Sequence, residues 1–267
     1  MSNTETIEAL VSAIEHDRFR EIAELHRPGA VFHTFRGPTV SGGTAAGGWY
    51  AAFLRDYADC SYSDRALLEQ GDVAALAATL GAKGVDWRAF DQRVLEFFEF
   101  EEGLVAARRI YAMPARFEYP KPVADAVAKL KEAEGVGASS VEATARGFVE
   151  ALLAGDRDGA RAFLSEDSVL VDGVFGVATG SDSVLELVAA LPAPAFGVWR
   201  LSRCVAGNRA AALEMAIDPA RPRAAAWVRV SEEKVASIEI YWMLREIGVT
   251  PAVGSMPRHP KQVILPI

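Results

Sequence analysis

The stretch IEALVSAIEHDRFREIAELHRPGAVFH, residues 7–33, is written a second time as RGFVEALLAGDRDGARAFLSEDSVLVD, residues 146–172. The two align without a gap. Asp17 falls on Asp156 at an offset of 139 (156 − 17 = 139), Arg18 on Arg157, Leu25 on Leu164 and Val31 on Leu170. On this alignment the copies close on His33 and Asp172. A second match lies downstream: VLEFFEFEEGLVAARRIYAM (94–113) falls on AAAWVRVSEEKVASIEIYWM (224–243), Tyr111 on Tyr241 at an offset of 130 (241 − 111 = 130). Self-similarity at a fixed offset marks a repeated structural unit. The chain therefore reads as two tandem copies of one domain.

Within each copy the apolar spacing sets the elements. Ile7, Leu10, Val11 and Ile14 form a helical stripe, with Thr4 as the expected cap. Asp17 is expected to cap a short second helix, which Arg27-Pro28-Gly29 ends. A strand over 30–35 follows, then a helix over 44–58 carrying Trp49, Tyr50, Phe53 and Tyr57. Long strands near 61–70, 73–84, 90–101 and 104–113 are joined by tight turns. The second half repeats this order: helix 141–154, a short helix opened by Asp156, strand 169–177, helix 181–190 and four closing strands. Helices followed by a run of antiparallel strands are α+β. The expectation is two tandem cone-shaped domains, each a curved, mostly antiparallel sheet wrapped around three helices. The boundaries read as domain 1 over 1–115, a Pro-rich and helical linker over 116–138, domain 2 over 139–245 and a Pro-rich tail over 246–267.

Composition narrows the function. The 267 residues are 51 % hydrophobic and 24 % charged, with a net charge of −8 and a pI near 5.2. This acidity argues against a nucleic-acid footprint, which requires a basic face, and it disfavours anionic membranes. No apolar run approaches the roughly 20 residues of a membrane span. The start MSNTETIEAL has no signal-peptide pattern, and Cys60 and Cys204 read as buried free thiols of a reducing compartment. A cytoplasmic location is expected.

Each half resembles the nuclear transport factor 2-like superfamily, in particular its SnoaL-like and ketosteroid-isomerase-like branch. GDRDGARAFLSEDSVLVDG (155–173), HDRFREIAELHRPGAVFH (16–33) and the closing EFEEGLVAARRIYAM and VSEEKVASIEIYWM carry the resemblance. It implies a deep pocket for a small apolar molecule. It also implies a carboxylate base on the strand after the second helix, at the interval that separates Asp156 from Asp172. Asp172 matches that position, and His33 holds it in the first half on the gapless alignment. A carboxylic acid on the penultimate strand matches Glu96 if one residue is deleted from the hairpin; Ala226 stands there in the second half. The tyrosine expected on the first helix is absent, with Ala9 and Phe148 in its place, which counts against steroid isomerisation itself.

The candidate catalytic residues are therefore His33, Glu96 and Asp172. A strand imidazole can exchange a proton near neutral pH. Glu96 shares a strand face with Val94 and Phe98, and burial there suits an acid or a hydrogen-bond donor. Asp172 precedes Gly173 and can equally form a turn. Trp49, Phe53, Tyr57, Trp87 and Trp242 are the candidate substrate-binding wall. No residues have metal-ligand spacing, and no cofactor is expected. The leading reading is a metal-free general acid–base enzyme of isomerase, cyclase, dehydratase or epoxide-hydrolase type. Its substrate would be a small hydrophobic, polyketide-like molecule. The alternatives are a non-catalytic binding module for a hydrophobic metabolite or a protein partner, and an assembly role. One competent site is expected, in the first half, where His33 and Glu96 would act together. The expected partner is a small hydrophobic molecule, with neither nucleic acid nor membrane. The two halves are expected to pair through their sheets as an intrachain pseudo-dimer, or the chain as a homodimer.

Overall fold

The computed structural model describes residues 1–34, 39–84, 89–114, 118–132, 134–190, 199–217 and 222–244. The chain forms two compact units, one built on Met1–Phe117 and the other on Glu118–Trp242. The expected Pro-rich tail lies outside the described residues.

The first unit runs α1 (Asn3–Glu15), α2 (Phe19–Glu24), β1 (His26–His33), β2 (Val40–Ser41), α3 (Gly43–Asp56), β3 (Tyr57–Gln70), β4 (Val73–Gly84), β5 (Ala89–Glu101) and β6 (Leu104–Ala112). The second opens with α4 (Lys121–Glu132) and then repeats the order. It has α5 (Ala138–Leu153), α6 (Arg157–Phe163), β7 (Leu164–Asp172), β8 (Gly176–Thr179), α7 (Ser181–Ala190), β9 (Arg200–Ala206), β10 (Ala210–Ala216), β11 (Pro222–Ser231) and β12 (Lys234–Trp242). The pairing order in the first unit is β2-β1-β6-β5-β4-β3, and in the second β8-β7-β12-β11-β10-β9. In each, one pair is parallel, β1 with β6 and β7 with β12, and the rest are antiparallel. This is the α+β architecture expected from the sequence.

Local chemistry sets the ends. Ser2, not Thr4, caps α1: its hydroxyl accepts the Glu5 N–H at 3.2 Å while the Glu5 carboxylate accepts the Ser2 N–H at 2.7 Å. This reciprocal box satisfies two otherwise orphaned donors. Arg27-Pro28-Gly29 does not break the chain after α2. It enters β1, and the ladder to β6 absorbs it as an irregularity between His26 and Val31. The strand expected over 169–177 is likewise two strands, β7 and β8, with a turn at 173–175.

The register of the repeat differs by one residue from the gapless alignment. The helix C-caps are His16 and Ala154, an offset of 138 (154 − 16 = 138). The next residues, Asp17 and Gly155, are both left-handed, at φ 57° and 73°. The caps of α2 and α6 are Arg18 and Asp156. Those of α3 and α7 are the positions Gly42 and Gly180, at φ 88° and 86°. Thr6 donates to the Gly103 carbonyl at 2.9 Å, as Thr144 does to Glu233 at 3.5 Å. The identity of Asp17 and Asp156 is thus a coincidence of composition. Asp156 caps α6 by accepting the Gly159 N–H at 2.9 Å, whereas Asp17 takes the left-handed turn that glycine takes in the second unit. Aspartate tolerates that conformation better than most residues. The strands agree: Phe32 lies opposite Arg108 as Leu170 lies opposite Ile238. His33 therefore corresponds to Val171, and the counterpart of Asp172 is Thr34.

Candidate functional site

In the first unit the interior face of the sheet carries a charged pair. Directly paired residues share a face and alternate residues return to it. Phe32 opposite Arg108 and Glu96 opposite Ile110 place Phe32, Arg108, Ile110 and Glu96 together. Arg108 is 1 % exposed and Glu96 0 %. The guanidinium donates through Nε at 2.8 Å and Nη2 at 2.5 Å to Oε2 of Glu96, and the Tyr62 hydroxyl donates to Oε1 at 3.0 Å. Three rings surround the cation, those of Phe32, Tyr50 and Phe98, at 5.2–5.3 Å from its central carbon. Burial and the nearby Glu96 carboxylate push the Tyr50 phenol well above its usual range, though Arg108 opposes the shift. Burial likewise pushes the Tyr62 phenol up, so both phenols stay protonated.

His33 lies opposite Arg109, one residue on from the Phe32–Arg108 pair, so it belongs to the other face. Its ring is half-buried, with Nδ1 3.0 Å from the Thr39 hydroxyl. The expected partnership of His33 with Glu96 is therefore corrected. Strand alternation separates them, and Glu96 is committed to Arg108. The aromatic candidates Trp49 and Phe53 of α3 and Tyr57 at the start of β3 stack on one another: Trp49 on Phe53 at 5.3 Å and Phe53 on Tyr57 at 4.7 Å. The helix residue facing Arg108 is Tyr50. Trp87 lies outside the described residues.

The second unit differs at its interior. A cavity lies between α5, α7 and the sheet, lined by Phe148, Leu170, Val188, Ala226, Ile238 and Trp242 among thirteen residues, all apolar. It leaves about 30 Å³ open to the centre of a water-sized sphere. Asp172 pairs with Ile240, and Ile240 with Ala226, so all three share the cavity face of the sheet. The Asp172 carboxylate is 0 % exposed. Oδ1 accepts the N–H groups of Val174 at 2.8 Å and Phe175 at 3.1 Å, closing the turn between β7 and β8. Oδ2 accepts the indole N–H of Trp242 at 2.9 Å. The Trp242 ring packs on Trp199 and Phe175, at 5.8 and 5.4 Å between centroids. Trp242 thus joins the carboxylate to the cavity wall. Burial pushes the Asp172 pKa up to about 6 against the opposing pull of its three hydrogen bonds. Among the described residues, none of its hydrogen-bond donors is a cation.

Glu239 and Arg109 lie on the opposite faces of their sheets from these interiors. Glu239 accepts from Tyr119 at 2.6 Å and Tyr241 at 2.9 Å and pairs with Arg229. Arg109 pairs with Glu99 at 2.6 Å. The residues that sequence reasoning passed over are Arg108, Tyr50, Tyr62 and Trp199. Arg108 carried a signal: it is an arginine two residues before Ile110, on an apolar strand face diagonal to Glu96.

Residues 7–108 match the sequence model of the SnoaL-like domain family. The first unit is a SnoaL-like domain. No curated protein matches the chain. Among solved structures, a protein with a ketosteroid isomerase-like fold from Catenulispora acidiphila, solved with trimethylamine, is 15 % identical. The match covers 40 % of this chain and 84 % of that one, with a TM-score of 0.39. A candidate polyketide cyclase from Pseudomonas putida is 16 % identical over 42 % of this chain and 91 % of its own, with a TM-score of 0.39. Among the described residues no helix is long and apolar enough to cross a membrane.

The SnoaL-like domain also holds a buried histidine, His26, whose Nδ1 donates to the Ile22 carbonyl at 2.7 Å. Its Nε2 is buried with no partner among the described residues. Burial pulls its pKa down to about 4, and Arg108 adds to the shift. A depressed histidine leaves stability in place above the unfolded value near 6.5 and removes it as pH falls toward the folded value. The second unit carries Leu164 at the matching position, opposite Val235 as His26 is opposite Val105. His26→Leu is expected to flatten the loss of stability between pH 6.5 and 4, on the order of 2–3 kcal/mol. Urea midpoints at pH 7 and 4.5 measure this, and an unchanged pH slope in the variant would contradict it.

Proposed function

We propose that the second unit is the working half. Its cavity takes a small apolar molecule, and Asp172 acts as the general base for a proton transfer of the isomerase or cyclase type. The observation that carries this reading is a fully buried carboxylate on the cavity side of the sheet, held one indole away from the lining by Trp242, with a pKa near 6 and no cationic hydrogen-bond donor among the described residues. Such a group is ionised at neutral pH yet basic enough to take a proton, the compromise that general-base catalysis favours. The turn N–H groups fix its position, and Trp242 links it to the bound molecule. The SnoaL-like domain would then serve as a scaffold, because its interior carboxylate is neutralised by Arg108.

A second reading is a binding module without chemistry. It is favoured by the wholly apolar lining and by the donors already engaged by Asp172. Both readings place the ligand in the second unit. A thermal-shift screen of small neutral aromatics tests that placement, since a ligand of the native state raises the melting temperature. Ala226→Phe should abolish the shift by filling the cavity, and Trp49→Ala should leave it. The reverse pattern would move the site to the first unit.

A further inference from the structure

The two interiors can be superimposed position by position, because the strand pairings are the same. Glu96 faces Ile110 as Ala226 faces Ile240, and Phe32 faces Arg108 as Leu170 faces Ile238. The helix caps Gly42 and Gly180 place Tyr50 over Val188. Besides Tyr62, five residues build the charged cluster of the first unit: Phe32, Tyr50, Glu96, Phe98 and Arg108. Their counterparts are Leu170, Val188, Ala226, Val228 and Ile238. Four of these, all but Val228, line the cavity.

We infer that Arg108, clamped by Glu96, fills in the first unit the seat that a ligand takes in the second, and that the second seat selects an uncharged apolar group. The seat in the first unit holds a cation by a carboxylate and three ring faces. In the second unit the carboxylate is replaced by a methyl group and all three rings by aliphatic side chains. A cation entering there finds no carboxylate in the lining, and the rings of Phe148, Trp199 and Trp242 alone do not offset its desolvation. The Asp172 carboxylate does not line the cavity and is engaged by the turn and by Trp242. An uncharged ligand needs only the apolar wall, which a dry cavity of this kind supplies. Residue pairs 96/108 and 226/238 therefore decide which unit is hollow. The inference rests on the reading of the second unit as the ligand-bearing half, but not on its proton chemistry.

The test is a calorimetric titration of the full chain with benzene and, separately, with guanidinium chloride at matched ionic strength. Wild type should bind one benzene and no guanidinium. Glu96→Ala with Arg108→Ile should raise the stoichiometry to two, and Ala226→Glu with Ile238→Arg should weaken the wild-type site at least tenfold. A folded Glu96→Ala/Arg108→Ile protein that still binds one benzene would overturn the inference, as would guanidinium binding in preference to benzene. If that double variant does not fold, the reverse exchange decides: retained benzene binding in Ala226→Glu/Ile238→Arg overturns it. Asp172→Asn separates the two proposals. Benzene binding that persists while proton transfer is unaffected sinks the general-base reading and leaves the seat intact.

Discussion

Arg108→Ala is expected to destabilise the first unit by about 3–5 kcal/mol, the range for breaking a buried ion pair from one side. Glu96 is 0 % exposed, and without Arg108 it keeps only the Tyr62 hydroxyl. A carboxylate left in that position must lose its charge or draw in water, and either is unfavourable. The contacts between the guanidinium and Phe32, Tyr50 and Phe98 are lost as well. Glu96→Ala with Arg108→Ile should be much milder than Arg108→Ala alone, because replacing both partners with apolar groups leaves no charge behind. Urea unfolding of the single and double variants measures the coupling between the two sites. A loss below about 1 kcal/mol in Arg108→Ala would place the pair among solvated ion pairs and contradict the buried cluster.

Asp172→Asn is expected to slow proton abstraction by about 10²–10⁴-fold, the usual contribution of one acid–base group. A suitable probe is the elimination of 5-nitrobenzisoxazole. A base removes its carbon-bound proton, the electron pair forms the nitrile, the N–O bond breaks and a coloured phenolate leaves. The active form is the carboxylate, so the wild-type rate should rise with pH through a limb near 6 and then level off. The same group shapes stability with the opposite sign from His26. Its folded pKa lies above the unfolded value near 3.8, so the native state holds the proton more tightly. Its contribution is most favourable at acid pH and declines as pH rises from about 4 to about 6. Asparagine removes that decline, on the order of 3 kcal/mol. A variant with both the limb and the decline intact would show that another group titrates.

The fold was legible because the repeat, the helical stripe of Ile7, Leu10, Val11 and Ile14, and the tight hairpin turns all point the same way. The register was less legible. Asp17 and Asp156 are the same residue in different roles, one turning the chain left-handed and the other capping a helix. That slip of one residue matters, because in a strand it moves every side chain to the other face. It set His33 in the place of Asp172, when the counterpart is Thr34. The Arg108–Glu96 pair was hidden for another reason. Glu96 was visible as a charge among apolar neighbours, but its partner lies on another strand, diagonal across a ladder whose pairing the sequence leaves open. Nor could the sequence show what fills each interior. That depends on five side chains brought together from β1, α3, β5 and β6, or from their counterparts in the second unit.

The most direct test of the second unit as the working half is a side-by-side rate measurement on the same benzisoxazole at pH 7, comparing wild type, Asp172→Asn and His33→Ala. The account predicts that His33→Ala, which removes a half-buried ring on the other face of the first sheet, stays within about twofold of wild type, while Asp172→Asn falls by about 10²–10⁴-fold. A His33→Ala protein that loses activity while Asp172→Asn retains it would contradict the account and return the site to the first unit.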